Sequence, residues 1–564
     1  MASSCLTLME ATGIQAYIFS SNRLQENIGA SEQVYRSTTL WAFKALEAIG
    51  LTHNIEKSTS VHWNYKNEKN AGNTEYQAEF IYAGGGKALI LFKDGKPDAI
   101  KFTKELTTSI LRNAPGLPLA VQHIEFDWES DKLADKHKAL QRKLASHKQS
   151  RMNSMPRLGL GVTAACESTS LVAVRSTDGE VNIEGTPVKL KLKDEEKTRF
   201  VSRETEYKLG WRDAARDHLN NQLGKDVVKQ GFDFPSDIDK LGRQMGEESY
   251  VAVVHADGNN MGKHFDAIGD RAKSNREYIT FYREFSQNVL KVSLRALQTV
   301  LKRVLDLIPP KLEKDEVYYK VANKIPLAEN HWFPVRPLVF GGDDVTFLCN
   351  AQLGVAMAAE YLKEFEEQTE TIIGKRLFAC AGVAMVKMHY PFSRAYDLSE
   401  SLCNSAKTFI RKEKNNKDAS ALDWHFATSG LSGSLQAIRQ REYTTPDGQL
   451  YLRPLALQKA VTDQTGRYWL EGIQQVLHEF QAEEKDNGKW AKHRNKLIGL
   501  RVALREGLQA VEKYRCDYEL PNLPELLPGK NATDTGWSGN QCYYFDAIEM
   551  LDHHVSLEKK GDEA

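Results

Sequence analysis

The sequence reads Arg336-Pro-Leu-Val-Phe-Gly-Gly-Asp-Asp-Val-Thr-Phe-Leu-Cys349 in the stretch that is most informative about its fold. Two short apolar, β-branched runs flank Gly341-Gly342-Asp343-Asp344, and this combination predicts a β-hairpin. Hydrophobic periodicity predicts further elements on both sides of the hairpin: a strand over 249–256, a helix over 276–307, a helix over 354–370, a strand over 377–387, a helix over 391–412 and a strand over 420–427. The order β-α-β-β-α-β indicates a split, ferredoxin-like sheet.

The first half of the sequence repeats this pattern in weaker form. Two strand-like runs, 79–83 and 88–92, flank the turn Gly84-Gly85-Gly86-Lys87. The other elements of the repeat are a strand over 5–10, a helix over 31–49, a helix over 100–113 and a strand over 117–127. We interpret the two units as an internal duplication in which only the second copy carries the acidic pair.

The pattern as a whole predicts an α+β multidomain protein. It contains two ferredoxin-like (βαββαβ) domains of the kind that nucleotide-polymerising enzymes use as palms. The predicted limits are a first palm at 1–150, a small α/β inter-palm domain at 151–246, a second palm at 247–428 and a C-terminal helical domain at 429–564. We therefore expect the chemistry in the second palm, where the acidic pair lies.

Length and composition narrow the class of protein. The chain has 564 residues, and its 75 Lys and Arg balance 75 Asp and Glu. A protein that coats duplex nucleic acid by bulk charge is disfavoured by this balance. The sequence has no apolar run long enough for a membrane span and no cationic segment followed by an apolar stretch at its start, so we expect a cytoplasmic location.

Three aspartates form the sharpest candidate site. Asp257 follows the apolar strand over 249–256, which is central in a ferredoxin-like sheet and adjacent to the hairpin that carries Asp343 and Asp344. Carboxylates at these places converge on one sheet edge and could hold two Mg²⁺ or Mn²⁺ ions. The alternative is that Gly-Gly-Asp-Asp is only a turn, because Gly and Asp are both favoured in turns.

Glycines and one lysine could bind the nucleotide next to these carboxylates. Gly341 and Gly342 remove side chains where a triphosphate approaches the backbone. Gly258, Asn259, Asn260 and Gly262 lead from the strand towards a helix, and their N–H groups could face a phosphate. Lys407 could reach the γ-phosphate as a point charge. Gly84, Gly85 and Gly86 either shape a second nucleotide pocket or form a plain hairpin.

Four ordered motifs carry a family resemblance. They are Gly13-Ile-Gln-Ala-Tyr-Ile-Phe19 with Gly29-Ala-Ser31, Tyr82-Ala-Gly-Gly-Gly-Lys87, Ala256-Asp-Gly-Asn-Asn-Met-Gly262 and Gly341-Gly-Asp-Asp344. The series resembles CRISPR-associated protein ten, the large polymerase/cyclase subunit of type III effector complexes. The resemblance implies two facing palms that bind two ATP molecules, with metal ions held by Asp257, Asp343 and Asp344. Asn259 stands where the family often has a second acidic residue.

The resemblance also implies a product and partners. The product would be a cyclic oligoadenylate that activates a downstream effector in antiviral defence, and the partners would be an RNA-guided complex of crRNA, target RNA and small subunits. No histidine precedes an aspartate and no Cys-x-x-Cys occurs, so we expect a compact variant without the family's His-Asp nuclease and zinc element. Two alternatives stay open: a diguanylate-cyclase-like enzyme, and a subunit that binds nucleotide without turnover.

Overall fold

The computed structural model describes residues 4–57, 63–66, 76–150, 161–191, 197–242, 250–310, 318–412, 418–427, 433–459, 467–482, 489–526 and 532–558. Within them the chain forms two mixed layers of sheet and helix, each built on a sheet of the predicted ferredoxin-like order. We call these two units the first and the second palm. The structure confirms the predicted α+β fold class, and the domain limits given above stay a prediction.

The first palm is a four-stranded antiparallel sheet. Its strands are β1 (Ser4–Ala11), β2 (Ala78–Gly84), β3 (Lys87–Phe92) and β4 (Leu119–Phe126), in the order β2-β3-β1-β4. Its longer helices are α1 (Leu24–Thr38), Leu40–Ala48, Lys96–Asn113 and α2 (Leu133–Ser150). The predicted helix over 31–49 is wrong as one element, because Thr39 has non-helical dihedrals and separates two helices.

The second palm repeats this sheet and extends it. Its strands are β5 (Tyr250–Gly258), β6 (Val335–Phe340), β7 (Val345–Asn350), β8 (Ala379–Lys387), β9 (Ala421–Ala427) and the short Leu455–Ala456. The core order β6-β7-β5-β8 is antiparallel, whereas β9 lies parallel to β8 and pairs on its other side with Leu455–Ala456. The strand predicted over 420–427 is therefore a fifth strand added to the ferredoxin-like four.

Helices cover the two faces of this sheet. Its helices are α4 (Met261–Arg271), α5 (Asn275–Asp306), Ala351–Ile373 and α6 (Phe392–Lys412). Successive residues of β5 point to opposite faces. Ala252 and Val254 pack in the core that contains α5, whereas Val251 and Val253 pack in a core shared with the first palm. The side chains that follow on this second face, towards the end of β5, therefore point to the junction of the palms.

The remaining chain lies between and after the palms. The region between them contains the helices Arg203–Gly210 and α3 (Arg212–Gln222) and the strands Ala173–Ser176, Glu180–Ile183, Thr186–Lys189 and Phe200–Ser202. No described helix is long and apolar enough to cross a membrane.

The C-terminal region is helical, with one difference from the prediction. Its helices include Leu435–Glu442, Gln474–Gln481, Arg494–Glu506, Leu508–Asp517 and Phe545–Met550. The last two long helices are separated at Gly507, which has a φ of +106°, so the chain does not continue as one helix there. A small sheet of two-residue strands is also present: Thr444–Thr445, Gly448–Gln449, Trp537–Ser538 and Gln541–Cys542.

Candidate functional site

The three predicted carboxylates lie at one end of the second palm. Asp257 is the last but one residue of β5, one place further into the strand than predicted, and pairs with Cys380 of β8. Asp343 and Asp344 form the end of the turn between β6 and β7. A Cβ added to Gly258 would lie 3.2 Å from the Cβ of Asp343, so the strand end and the turn are in close contact. The topology therefore brings the three aspartates together.

Mutual repulsion marks this group of carboxylates. Burial, together with the negative charges of Asp257 and Asp344, raises the pKa of Asp343 to about 6. Lys407 of α6 offsets part of this charge, since its Nζ donates a short hydrogen bond to Oδ2 of Asp257 and lies 3.4 Å from the carbonyl oxygen of Gly258. Burial alone would lower the pKa of Lys407, but Asp257 outweighs it and raises the pKa. The ammonium group therefore stays charged.

His255 belongs to the same cluster, although the sequence analysis did not single it out. Its Nδ1 lies 3.2 Å from Oδ1 of Asp344 and 3.2 Å from Oγ1 of Thr346. Burial would lower the pKa of His255, but the Asp344 and Asp257 carboxylates outweigh burial and raise it. Side chains two residues apart on a strand share a face. The spacing of His255 and Asp257 could therefore have pointed to this histidine.

A cavity of about 1260 Å³ opens in front of the carboxylates and between the two palms. Both glycine turns line it, and they contact each other: a Cβ on Gly85 would lie 3.4 Å from the carbonyl oxygen of Gly341. Gly84, Gly85 and Gly86 all have positive φ, and Gly85 at +57° is in the left-handed region that glycine tolerates best. The structure thus places the predicted glycines Gly84–Gly86 and Gly341–Gly342 at one site.

The loop after β5 reaches the cavity with only some of its residues. Met261 and Gly262, at the start of α4, line the cavity, and no side chain caps this helix. An uncapped helix start leaves N–H groups that favour an anion. Asn259 is directed elsewhere, because its N–H donates to the carbonyl of Phe378 and its Nδ2 donates to that of Ala419. Asn260 adopts the left-handed conformation that joins the strand to the helix.

The first palm has a related but differently charged cluster. Glu10 of β1 pairs with Lys87 across the sheet, at the end of β3 that follows the glycine turn. Nζ of Lys87 lies 3.6 Å from Oε1 of Glu10, and Nζ of Lys148 of α2 lies 3.0 Å from the same oxygen. Lys148 thus corresponds to Lys407, since each lies on the helix after the fourth strand.

The donor set of the second palm fits a divalent cation that is shared with a substrate. Oδ1 of Asp344 is buried and accepts no hydrogen bond of good geometry from the described residues. Among the described residues no three or more His, Cys, Asp or Glu side chains are grouped closely enough to hold a metal ion by themselves. Mg²⁺ in nucleotide enzymes is commonly held by one or two carboxylates together with substrate phosphates. Asp257, Asp343 and Asp344 match this pattern.

Comparison with known protein families agrees with this geometry. Residues 250–421 match the family model of the second palm domain of Cas10/Cmr2. In this region the chain is similar to a Cas10/Cmr2 second palm. The match confirms the resemblance to CRISPR-associated protein ten, and the Cas10/Cmr2 palm includes every strand of the sheet from β5 to the first residue of β9.

Solved structures similar to this chain include Csm1 proteins. A Csm1–Csm4 cassette in complex with AMPPNP is 14% identical with a TM-score of 0.49, and the match covers 98% of this chain and 70% of that chain. Csm1 from T. onnurineus is 14% identical with a TM-score of 0.44, at the same two coverages. A cassette in complex with cA4 is 13% identical with a TM-score of 0.42, covering 98% and 69%. A search of curated proteins found no match.

Proposed function

We propose that this chain is a metal-dependent nucleotidyltransferase that joins nucleoside triphosphates with release of pyrophosphate. The observation that carries the proposal is the convergence of Asp257, Asp343 and Asp344 at one end of a cavity lined by two glycine turns. Three acidic side chains at one place are costly without a cation. A hairpin with a purely structural role has no need of this charge.

The side chains have separate roles in the proposed reaction. Asp343 and Asp344 would hold Mg²⁺ or Mn²⁺ from the turn, and Asp257 would hold it from the central strand. When bound, the metal supplies charge neutralisation for the triphosphate and lowers the pKa of the attacking ribose hydroxyl. Lys407 would contact the terminal phosphate as the cation nearest to the carboxylates. His255 orients Asp344 from behind.

The turn and helix backbones complete the binding site. Gly341 and Gly342 leave the turn open to a triphosphate, and the start of α4 at Gly262 offers its N–H groups to it. No described side chain stands ready as a dedicated base, and positioning with charge neutralisation suffices for phosphoryl transfer. Gly84–Gly86 would bound the second nucleotide from the first palm.

The family resemblance guides the choice of substrate and partners that we propose. We propose ATP as substrate, a cyclic oligoadenylate as product, and a downstream effector that the product activates in antiviral defence of the type III CRISPR kind. An RNA-guided complex of crRNA, target RNA and small subunits is the proposed activating partner. A guanine-specific cyclase and a subunit without turnover are the alternative outcomes of the test below.

Product analysis tests the proposal directly. The purified chain is incubated with Mg²⁺ or Mn²⁺ and each of the four nucleoside triphosphates, separately and mixed, and products are resolved by mass. The expected result is an oligonucleotide from ATP with release of pyrophosphate. Asp343→Ala combined with Asp344→Ala should abolish it. Asp270→Ala, at an exposed position of α4, is the matched control and should leave it unchanged.

Each other outcome has a defined meaning. A product from GTP alone would identify the guanine-specific alternative. Absence of any product, both from the chain alone and after addition of the guide complex with target RNA, would contradict the proposed activity. Nucleotide binding under those conditions would then leave the subunit without turnover as the remaining function.

A further inference from the structure

Arg336, near the start of β6, is a buried cation without an acidic partner. Its side chain lines the inter-palm cavity, and the residue is only 2% exposed. Nη1 makes a long contact of 3.5 Å with the carbonyl oxygen of Phe234, and Nε is buried without any hydrogen bond from the described residues. Burial lowers the pKa of Arg336 to about 9, the positive charge of Arg216 acts in the same direction, and the more distant carboxylate of Asp233, which forms no ion pair with Arg336, opposes them only in part. A guanidinium in this state needs acceptors.

The other buried arginines of the described chain show that this is an exception. There are seven buried arginines, and six of them form an ion pair: Arg36, Arg199, Arg212, Arg283, Arg439 and Arg453. Only Arg336 forms none with the described residues. In the described chain, a buried guanidinium group with only a structural role is thus paired with an acid. The acceptor for Arg336 is expected to come from outside the chain.

Two more cations line the same cavity from α5. Lys291 and Arg295 are exposed, lie one helical turn apart and form no ion pair within the described part of the chain. Nε2 of Gln298, on the next turn, donates to the carbonyl of Gln222 at 2.7 Å and joins α5 to α3. We call Lys291, Arg295 and Arg336 the cationic arm. The cationic arm is positively charged, whereas the end of the cavity with the three aspartates is negatively charged.

We propose that the cationic arm binds the phosphate groups of the nucleotide chain that the site has already joined, with Arg336 as its buried anchor. This rests on the proposed function. Arg336 precedes Gly341 by five strand residues, which is about 16 Å at roughly 3.3 Å per residue. That distance separates the arm from the phosphate being transferred at Asp343. An oligonucleotide carries one phosphate per residue, and a planar guanidinium binds phosphate oxygens in pairs.

Binding in the absence of metal tests the arm independently of turnover. The probe is a fluorescein-labelled adenylate tetramer with phosphodiester links, and its counterpart has uncharged methylphosphonate links. Both are titrated against the protein in EDTA, and binding is followed by anisotropy at several salt concentrations. The phosphodiester probe should bind more tightly than the methylphosphonate probe. In a plot of the logarithm of its affinity against the logarithm of the salt concentration, the slope should be roughly −0.7 for each phosphate that is neutralised.

Three variants and a matched control identify the residues. Arg336→Met should weaken binding of the phosphodiester probe by about tenfold or more, and Arg336→Lys should restore part of it because it keeps the charge without the fork. Lys291→Met with Arg295→Met should reduce the salt slope by roughly 1.4, as expected for two lost contacts. Lys104→Met, at an exposed position of the helix Lys96–Asn113, should change nothing.

Thermal stability separates a ligand role from a structural one. Removal of a buried charge that has no partner is often neutral or stabilising, so Arg336→Met should melt at or above the temperature of the parent. A lower melting temperature together with unchanged probe binding would overturn the proposal. Equal binding of the charged and uncharged probes would overturn it as well. If tripolyphosphate bound to the protein but neither probe did, the arm would hold a free triphosphate and its assignment to the joined chain would be wrong.

Failure of this inference is distinguishable from failure of the proposed function. Probe binding in EDTA requires no turnover, so an inactive chain can still show a working arm. Conversely, an active enzyme whose probe binding is insensitive to Arg336→Met would retain its proposed function and lose only the arm.

Discussion

Replacement of Asp343 by asparagine should make the protein more stable at neutral pH and leave its stability unchanged in acid. In the folded protein, burial and the neighbouring Asp257 raise the pKa of Asp343 from 3.8 to about 6. The folded state therefore holds this proton more tightly than the unfolded chain does. The contribution of this proton to the free energy of unfolding is fully present below about pH 4 and is lost as the pH rises through about 6. Asparagine keeps the shape of the side chain and has no charge to lose.

The size of the effect follows from the same shift. At 1.36 kcal/mol per pKa unit, the ionised carboxylate of the parent costs about 3 kcal/mol at pH 7.5. Solvent reaches part of this side chain, so the value is an upper limit. A domain of 150–250 residues gains about 2–4 °C in melting temperature per kcal/mol. Asp343→Asn should thus raise the melting temperature by up to roughly 6–12 °C at pH 7.5 and by almost nothing at pH 4.

The assay is a series of thermal melts in EDTA from pH 4 to 8. Asp270→Asn, at an exposed position of α4, serves as the control and should show no pH-dependent gain. Added Mn²⁺ should stabilise the parent more than Asp343→Asn, because a ligand that binds only the folded state adds to stability. An equal difference at every pH, or a less stable asparagine variant at pH 7.5, would refute the reasoning that Asp343 is held in a repulsive cluster.

Three further predictions concern the same cluster. Lys407→Met removes the cation that pairs with Asp257. In the absence of nucleotide, Mn²⁺ should therefore bind more tightly, as measured by an electron paramagnetic resonance titration. Turnover should fall at least about tenfold, because the terminal phosphate loses its cation. Gly258→Ala places a Cβ 2.7 Å from Cγ of Met261, a flexible side chain that can move aside, and 3.2 Å from the Cβ of Asp343, so it should lower turnover with folding intact. Gly161→Ala, which meets nothing within 4 Å, should not. His255→Gln removes a group with a raised pKa, so melts should show a larger loss of stability at pH 6 than at pH 8.

The sequence was sufficient for the two sheets because their signals are local. A run such as Val345–Asn350 is short, β-branched and bounded by a Gly-Gly-Asp-Asp turn, and each of these properties acts over a few residues. Helix ends were predicted less well. The breaks at Thr39 and Gly507 depend on dihedral angles that apolar periodicity does not encode. Even so, the ferredoxin-like order followed from the succession of elements.

The convergence of Asp257 with Asp343 and Asp344 was also predictable, because sheet topology alone places the end of the central strand beside the turn of the neighbouring hairpin. His255 could have been found by the same alternation, since it lies two residues before Asp257 on the same face. Residue spacing and strand order are thus enough to predict the part of the candidate site that belongs to the second palm.

Only the tertiary structure decided how the palms meet and which charges are left without partners. The contact between Gly85 and Gly341, the ion pair of Lys407 with Asp257 and the isolation of Arg336 each join or separate residues more than 100 positions apart. Local periodicity reports which face of an element is buried, but not which distant face covers it. The charge of a side chain is fixed by the sequence, whereas its partner and its access to solvent are fixed by packing.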